Sequence, residues 1–87
     1  FTLRIILPDE GVSGLAPGAE VQVLGTRAGE VRRIVIDPNG RMHAVARVED
    51  QMRPFIRRDS QVSIRRQFGV AGAAYIDISR GTGPQLD

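Results

Sequence analysis

The chain contains no cysteine and no tryptophan, and all twelve of its basic residues are arginine. Without cysteine there is no disulfide, thiol nucleophile or thiolate metal site, and without lysine there is no amine for a Schiff base. A single histidine, His43, leaves no histidine cluster for zinc. The aromatic set is Phe1, Phe55, Phe68 and Tyr75, too thin for a surface that stacks bases. No run approaches the roughly 18 consecutive apolar residues that span a bilayer, and no signal-peptide pattern opens the chain. Any anchor or address is therefore expected outside these residues.

What is present describes one small domain. Eighty-seven residues, 41% hydrophobic and 25% charged, are too few to divide into two cores. The formal charge is only +2, because ten carboxylates offset the arginines. Apolar residues recur at every second position and β-branched types dominate, a period that belongs to strands. Phe1, Leu3, Ile5 and Leu7 share one face of a first strand, and Val21 and Val23 share one face of a second. From 30 to 37 the alternation is mixed, with Ile34 and Ile36 on one side and Val31 and Val35 on the other, which predicts a strand covered on both faces.

Asp37-Pro38-Asn39-Gly40 then predicts a β-hairpin turn, with proline suited to its first central position and Asn-Gly to positive φ. The return strand, 41–49, places Met42, Ala44, Ala46 and Val48 inward and Arg41, His43, Arg47 and Glu49 mostly outward. Residues 50–60 break the pattern around Pro54 and predict a connection with one helical turn, Phe55 or Ile56 plugging the end of the fold. Val62 and Ile64 mark a fifth strand, and Ala74, Ile76 and Ile78 the last. The expected fold is all-β: a six- to seven-stranded small barrel over residues 1–80, with 81–87 a tail or the start of a linker. A barrel of this size is filled by its own side chains, so function is expected on loops or between copies.

The chemical inventory offers little for catalysis. Asp9-Glu10 and Glu49-Asp50 are neighbours in sequence, and on a strand neighbours point to opposite faces, so neither forms a dyad by position. His43 could serve a hydrolase only with partners that Ser13, Ser60, Ser63 and Ser79, none of them in a nucleophile elbow, do not supply. Gly11-Val12-Ser13-Gly14 lacks the Gly-Lys-Ser/Thr ending of a phosphate loop. No enzyme, cofactor or metal is expected. The arginine pairs Arg32-Arg33, Arg57-Arg58 and Arg65-Arg66 provide the alternative reading, a small β-barrel module for nucleic acid. Against it, two pairs straddle strands, and Asp37, Asp59 and Asp77 dilute the field.

Phe68-Gly69-Val70-Ala71-Gly72 stands apart, because it places apolar residues where a turn is ordinarily polar. Upstream lie Gly14-Leu15-Ala16-Pro17-Gly18-Ala19-Glu20-Val21 and then Gly25-Thr26-Arg27-Ala28-Gly29-Glu30-Val31. Together with the strand that carries Tyr75, these segments resemble, in order and spacing, the MCE domain of the MlaD family. The resemblance covers essentially the whole chain and assigns Gly14, Leu15, Gly18, Val21, Gly25, Gly29, Val31 and Tyr75 to the family's structural motifs.

The resemblance implies a small barrel whose copies form a ring, commonly hexameric, with the loop Phe68, Gly69, Val70, Ala71 and Gly72 facing a central pore. It implies a non-enzymatic lipid-binding component of an ABC-type transport system that moves phospholipid or another lipid across the cell envelope. Its partners would be lipid, further copies, and the permease and ATPase of the system, with no nucleic acid. It would sit on the periplasmic side of the inner membrane, or in the chloroplast envelope, tethered by an N-terminal helix that precedes these residues. Val70 and Ala71 occupy the places of the family's frequent leucines. Their shorter side chains imply a wider, less greasy constriction.

Overall fold

Alternating apolar residues become strands here because each strand can bury one face only by curling the sheet over itself. A computed structural model describes residues 1–8, 14–66 and 73–86. Its strands are β1 (Thr2–Ile6), β2 (Glu20–Val23), β3 (Thr26–Ile36), β4 (Met42–Val48), β5 (Val62–Arg66) and β6 (Ala74–Ile78). A 3-10 helix, Asp50–Phe55, joins β4 to β5. The six strands form one sheet in the order β1-β4-β3-β2-β6-β5, curled into a half-barrel. Neighbours pair antiparallel except β2 and β6, which run parallel.

The curl is concentrated in β3, the longest strand. Two bulges interrupt it: Ala28 is the extra residue against β2, and Arg32 the extra residue against β4. Each bulge bends its strand and increases the local twist, so β3 can pair with β2 at one end and β4 along most of its length. The bulge at Arg32 corrects the reading of a strand covered on both faces. It moves Val31 and Ile34 onto the same inner face, while Ile36 is 66% exposed at the strand's end. An inserted residue, not a second buried face, breaks the alternation.

Val21, Val23, Val31, Val48, Ile76 and Ile78 fill the inside of the curl, each at most 1% exposed. Such side chains contribute about 1.5–3 kcal/mol each on full burial. Ala28, Ala44 and Ala46 lie between them with no exposed surface, small residues where the sheet faces itself most closely. Ile56, 3% exposed, closes one end. Its neighbour Phe55 is half-buried beneath the Arg80 guanidinium, 5.5 Å from the ring centre, so Ile56 is the plug.

Two hairpins set the register. At Asp37-Pro38-Asn39-Gly40 the Gly40 N–H donates to Asp37 O at 2.9 Å, and the Asp37 side chain accepts from the Asn39 and Arg41 amides. Neither central residue, Pro38 or Asn39, takes positive φ; the closing residue Gly40 does, at 82°, so of the expected Asn-Gly pair only the glycine uses that region. Between β2 and β3, Val23 pairs with Thr26 across Leu24 (φ 57°) and Gly25 (φ 72°). Positive φ at both central residues is the type I′ signature, whose first position favours asparagine. Leucine there sets its Cβ against the following carbonyl, and its side chain is 51% exposed.

Two substitutions test these constraints. A Cβ at Gly29 would lie 1.9 Å from the Arg47 carbonyl oxygen, main chain against main chain. Gly29→Ala is expected to destabilise by about 3 kcal/mol or more, seen as a lowered urea midpoint. Leu24→Asn is expected to raise the same midpoint by a gain of about 1 kcal/mol; an unchanged or lower midpoint would contradict the strained turn.

Candidate functional site

The last register pair of the β5–β6 ladder is Arg66 with Ala74, so the segment that holds Phe68, Gly69, Val70, Ala71 and Gly72 departs from that end of the hairpin. Those five residues lie outside the described ones. What is described is their base. Ala74, Ile76 and Ile78 are buried on the inner face of β6, which anchors the hairpin's return arm in the core. Tyr75 points outward, half-buried, opposite Arg65, and the Arg65 Nε donates to Asp77 Oδ2 at 2.9 Å.

The motif residues upstream converge on the same body. Gly14 stands beside the foot of the loop: a Cβ there would lie 2.8 Å from the Arg66 guanidinium and 3.8 Å from Ala74. Leu15 packs on the core. Ala16-Pro17-Gly18-Ala19 forms a turn closed by Ala19 N–H to Ala16 O at 3.0 Å, and Gly18 N–H then donates to Val31 O at 2.7 Å. Val21 and Val31 are core residues, Gly25 completes the strained turn, and Gly29 admits β4. The sequence motifs thus map to the devices that bend and register the sheet.

Several arginines of the sheet stand beside carboxylates. Arg32 and Arg47 approach Glu30 at 3.7 and 3.6 Å, and Arg27 approaches Glu20 at 3.4 Å. Arg57 donates to the carbonyls of Pro54 and Gly83. Such exposed pairs contribute little stability, but they neutralise the field a polyanion would need.

His43 is half-buried on the outer face, opposite Ile6 of β1 and Val35 of β3, with no hydroxyl or carboxylate among its register partners. Ser60 and Ser79 accept backbone N–H groups through their hydroxyl oxygens at 3.0 and 2.8 Å, which is turn capping. Asp9, Glu10 and Ser13 lie outside the described residues. Among the described residues no three histidine, cysteine or acidic side chains stand together to hold a metal ion. None of their helices is long and apolar enough to cross a membrane.

One polar device escaped the sequence reading. Residues 81–85 fold back on the segment after the 3-10 helix. The Asp59 carboxylate accepts from the Thr82 and Gly83 amides, at 3.1 and 2.8 Å, and from the Thr82 hydroxyl at 3.2 Å. Arg58 N–H donates to Pro84 O, Gly81 N–H donates to Phe55 O, and Arg57 bridges Gln85. The amides of Gly83 first, and Thr82 second, hold the Asp59 carboxyl below its ordinary pKa. The only cue in sequence was Gly81-Thr82-Gly83, small residues that let main-chain donors close on a carboxylate.

Fold and described residues together define a small all-β domain whose β5–β6 pair is anchored in the core. Residues 6–81 match the family model described as MlaD protein, and the chain belongs to that family. The family is one of cell-envelope lipid-transport components. No curated protein matches the chain.

Because its folded-state pKa is depressed, the contribution of Asp59 to stability is complete above the ordinary carboxylate range and is lost as pH falls through the lowered value. The Thr82 and Gly83 amide chemical shifts are expected to titrate together, with a midpoint below that of an unperturbed aspartate. Asp59→Asn should abolish that titration, and a midpoint at the ordinary aspartate value would contradict the clasp.

Proposed function

We propose that this domain is a non-enzymatic, lipid-binding component of an ABC-type lipid transport system in the cell envelope. The observation that carries the reading is the filled interior of the fold: Val21, Val23, Ala44, Ala46 and Ile76 have no exposed surface, so the inside of the curl is side chain. A lipid has to be shielded elsewhere. A two-chain lipid with roughly thirty methylenes would lose on the order of 20 kcal/mol if it crossed water bare. Copies arranged in a closed ring, each contributing Phe68, Gly69, Val70, Ala71 and Gly72 to a central pore, would supply the apolar path that one copy lacks.

Membership of the MlaD family supports the lipid-transport setting. In this reading the energy comes from a separate ATPase and permease, an N-terminal helix outside these residues tethers the domain, and the domain faces the periplasm. The short side chains of Val70 and Ala71 make the constriction wider than paired leucines would. The strand that follows these residues suits that task, because β6 is pinned in the core by Ala74, Ile76 and Ile78.

The test is a carboxylate in the conduit. Val70→Asp, in the intact protein within its membrane, is expected to cut lipid transport by roughly tenfold or more, since a charge in an apolar path is costly. Circular dichroism and the urea midpoint of the domain should stay unchanged. Wild-type transport by this variant would overturn the reading.

A further inference from the structure

The half-barrel leaves a groove between its two edges. β1 and β5 lie at opposite ends of the strand order and do not pair, and a groove of about 360 Å³ lies between them, lined by Leu3 to Ile6 of β1 and by Val62 of β5. Its floor is apolar: Ile5, Ile56 and Ile78 are at most 4% exposed. At its rim Ile6 and Val62 are 70% and 46% exposed.

Main-chain chemistry marks β1 as the receptive edge. The Val48 N–H donates to Phe1 O, and the Leu7 N–H donates to Met42 O, so odd-numbered residues of this strand bond to β4. By antiparallel alternation, Thr2, Arg4 and Ile6 direct their N–H and C=O groups away from β4, toward the open edge. Thr2–Ile6 carries neither proline nor bulge, and the charge of Arg4 is what guards this edge among the described residues. Among the described residues that line the groove, Arg4, Arg57 and Arg58 are charged and none is a carboxylate; Asp59, next to Arg58 in sequence, is engaged with Thr82 and Gly83.

We propose that this groove docks an extended, acidic segment of a partner protein, which adds a strand to the free edge of β1. Apolar residues on the inward face of the incoming strand meet Ile56, Val62 and Ile78, while carboxylates on its outward face meet Arg4, which shares the outer face of β1 with Ile6. A lipid chain fits the edge poorly, since it would cover the amides of Thr2, Arg4 and Ile6 without satisfying them. A second copy fits poorly as well. Two β1 strands paired antiparallel about Arg4 would set like charges opposite each other.

The proposal is tested by titrating the isotope-labelled 87-residue chain with a synthetic peptide of about ten residues that alternates valine and glutamate. A valine–lysine peptide of equal length is the control. The acidic peptide should shift the amides of Thr2, Arg4, Ile6 and Val62 and slow hydrogen exchange at the first three, with affinity that falls as salt rises. Arg4→Glu should weaken it by roughly tenfold. Arg4→Pro, which removes an edge donor but no bond to β4, should abolish it while the β3 and β4 amides stay unshifted.

Equal binding of the lysine peptide, or unchanged affinity in Arg4→Glu, would overturn the proposal. So would the same shifts produced by phosphatidylglycerol vesicles and not by the acidic peptide, or by raising the chain's own concentration.

Discussion

The structure depends on how closely β3 and β4 can approach at Gly29. A side chain there would collide with the main chain of Arg47 and Val48, and beside it Ala28 is squeezed out as a bulge. The consequences run outward from that contact. The bulged Ala28 carbonyl accepts from Glu49 N–H at 2.8 Å, which ties the bend to the end of β4. A second bulge at Arg32 continues the turn, and six strands curl around a core of valine, isoleucine and alanine. Sheets without such devices stay open, and a single flat sheet of this length would leave one apolar face in water.

A tight curl decides where chemistry can occur. The interior is consumed by packing, so the domain cannot enclose a ligand the size of a lipid, and its polar groups serve turns, clasps and surface pairs. What the described residues present is a core-anchored β5–β6 pair and an open edge beside arginines. In the reading proposed here lipid passes between copies along the loop, while the edge recruits a partner strand. The two use different parts of the sheet: the last β5–β6 pair, Arg66 with Ala74, lies next to Gly14, and the groove runs between β1 and β5.

Much of the fold was legible in the sequence because alternation reports burial directly. Leu3, Ile5 and Leu7, Val21 and Val23, Ala44 to Val48, and Ala74 to Ile78 each lie on the predicted face. The Asp-Pro-Asn-Gly hairpin was legible because its backbone demands select those residues. What escaped depends on contacts between distant segments. A bulge leaves no mark except imperfect alternation, which at 30–37 reads equally as two covered faces. The parallel pairing of β2 with β6 joins segments more than fifty residues apart by Val21–Ile76 and Val23–Ile78 contacts that no local pattern encodes. The Asp59 clasp and the groove at β1 are likewise products of the closed geometry. The apolar segment Phe68–Gly72 was conspicuous in sequence for its composition and lies outside the described residues.

The central claim is that lipid meets the loop, outside the barrel, and the most direct measurement is photocrosslinking in the intact protein within its membrane. A photoreactive residue at Val70 is compared with one at Arg41, beside the hairpin turn, and attached lipid is detected on each. Lipid captured at Val70 and absent at Arg41 is the predicted result. Equal capture at both positions, or none at Val70, would contradict the account.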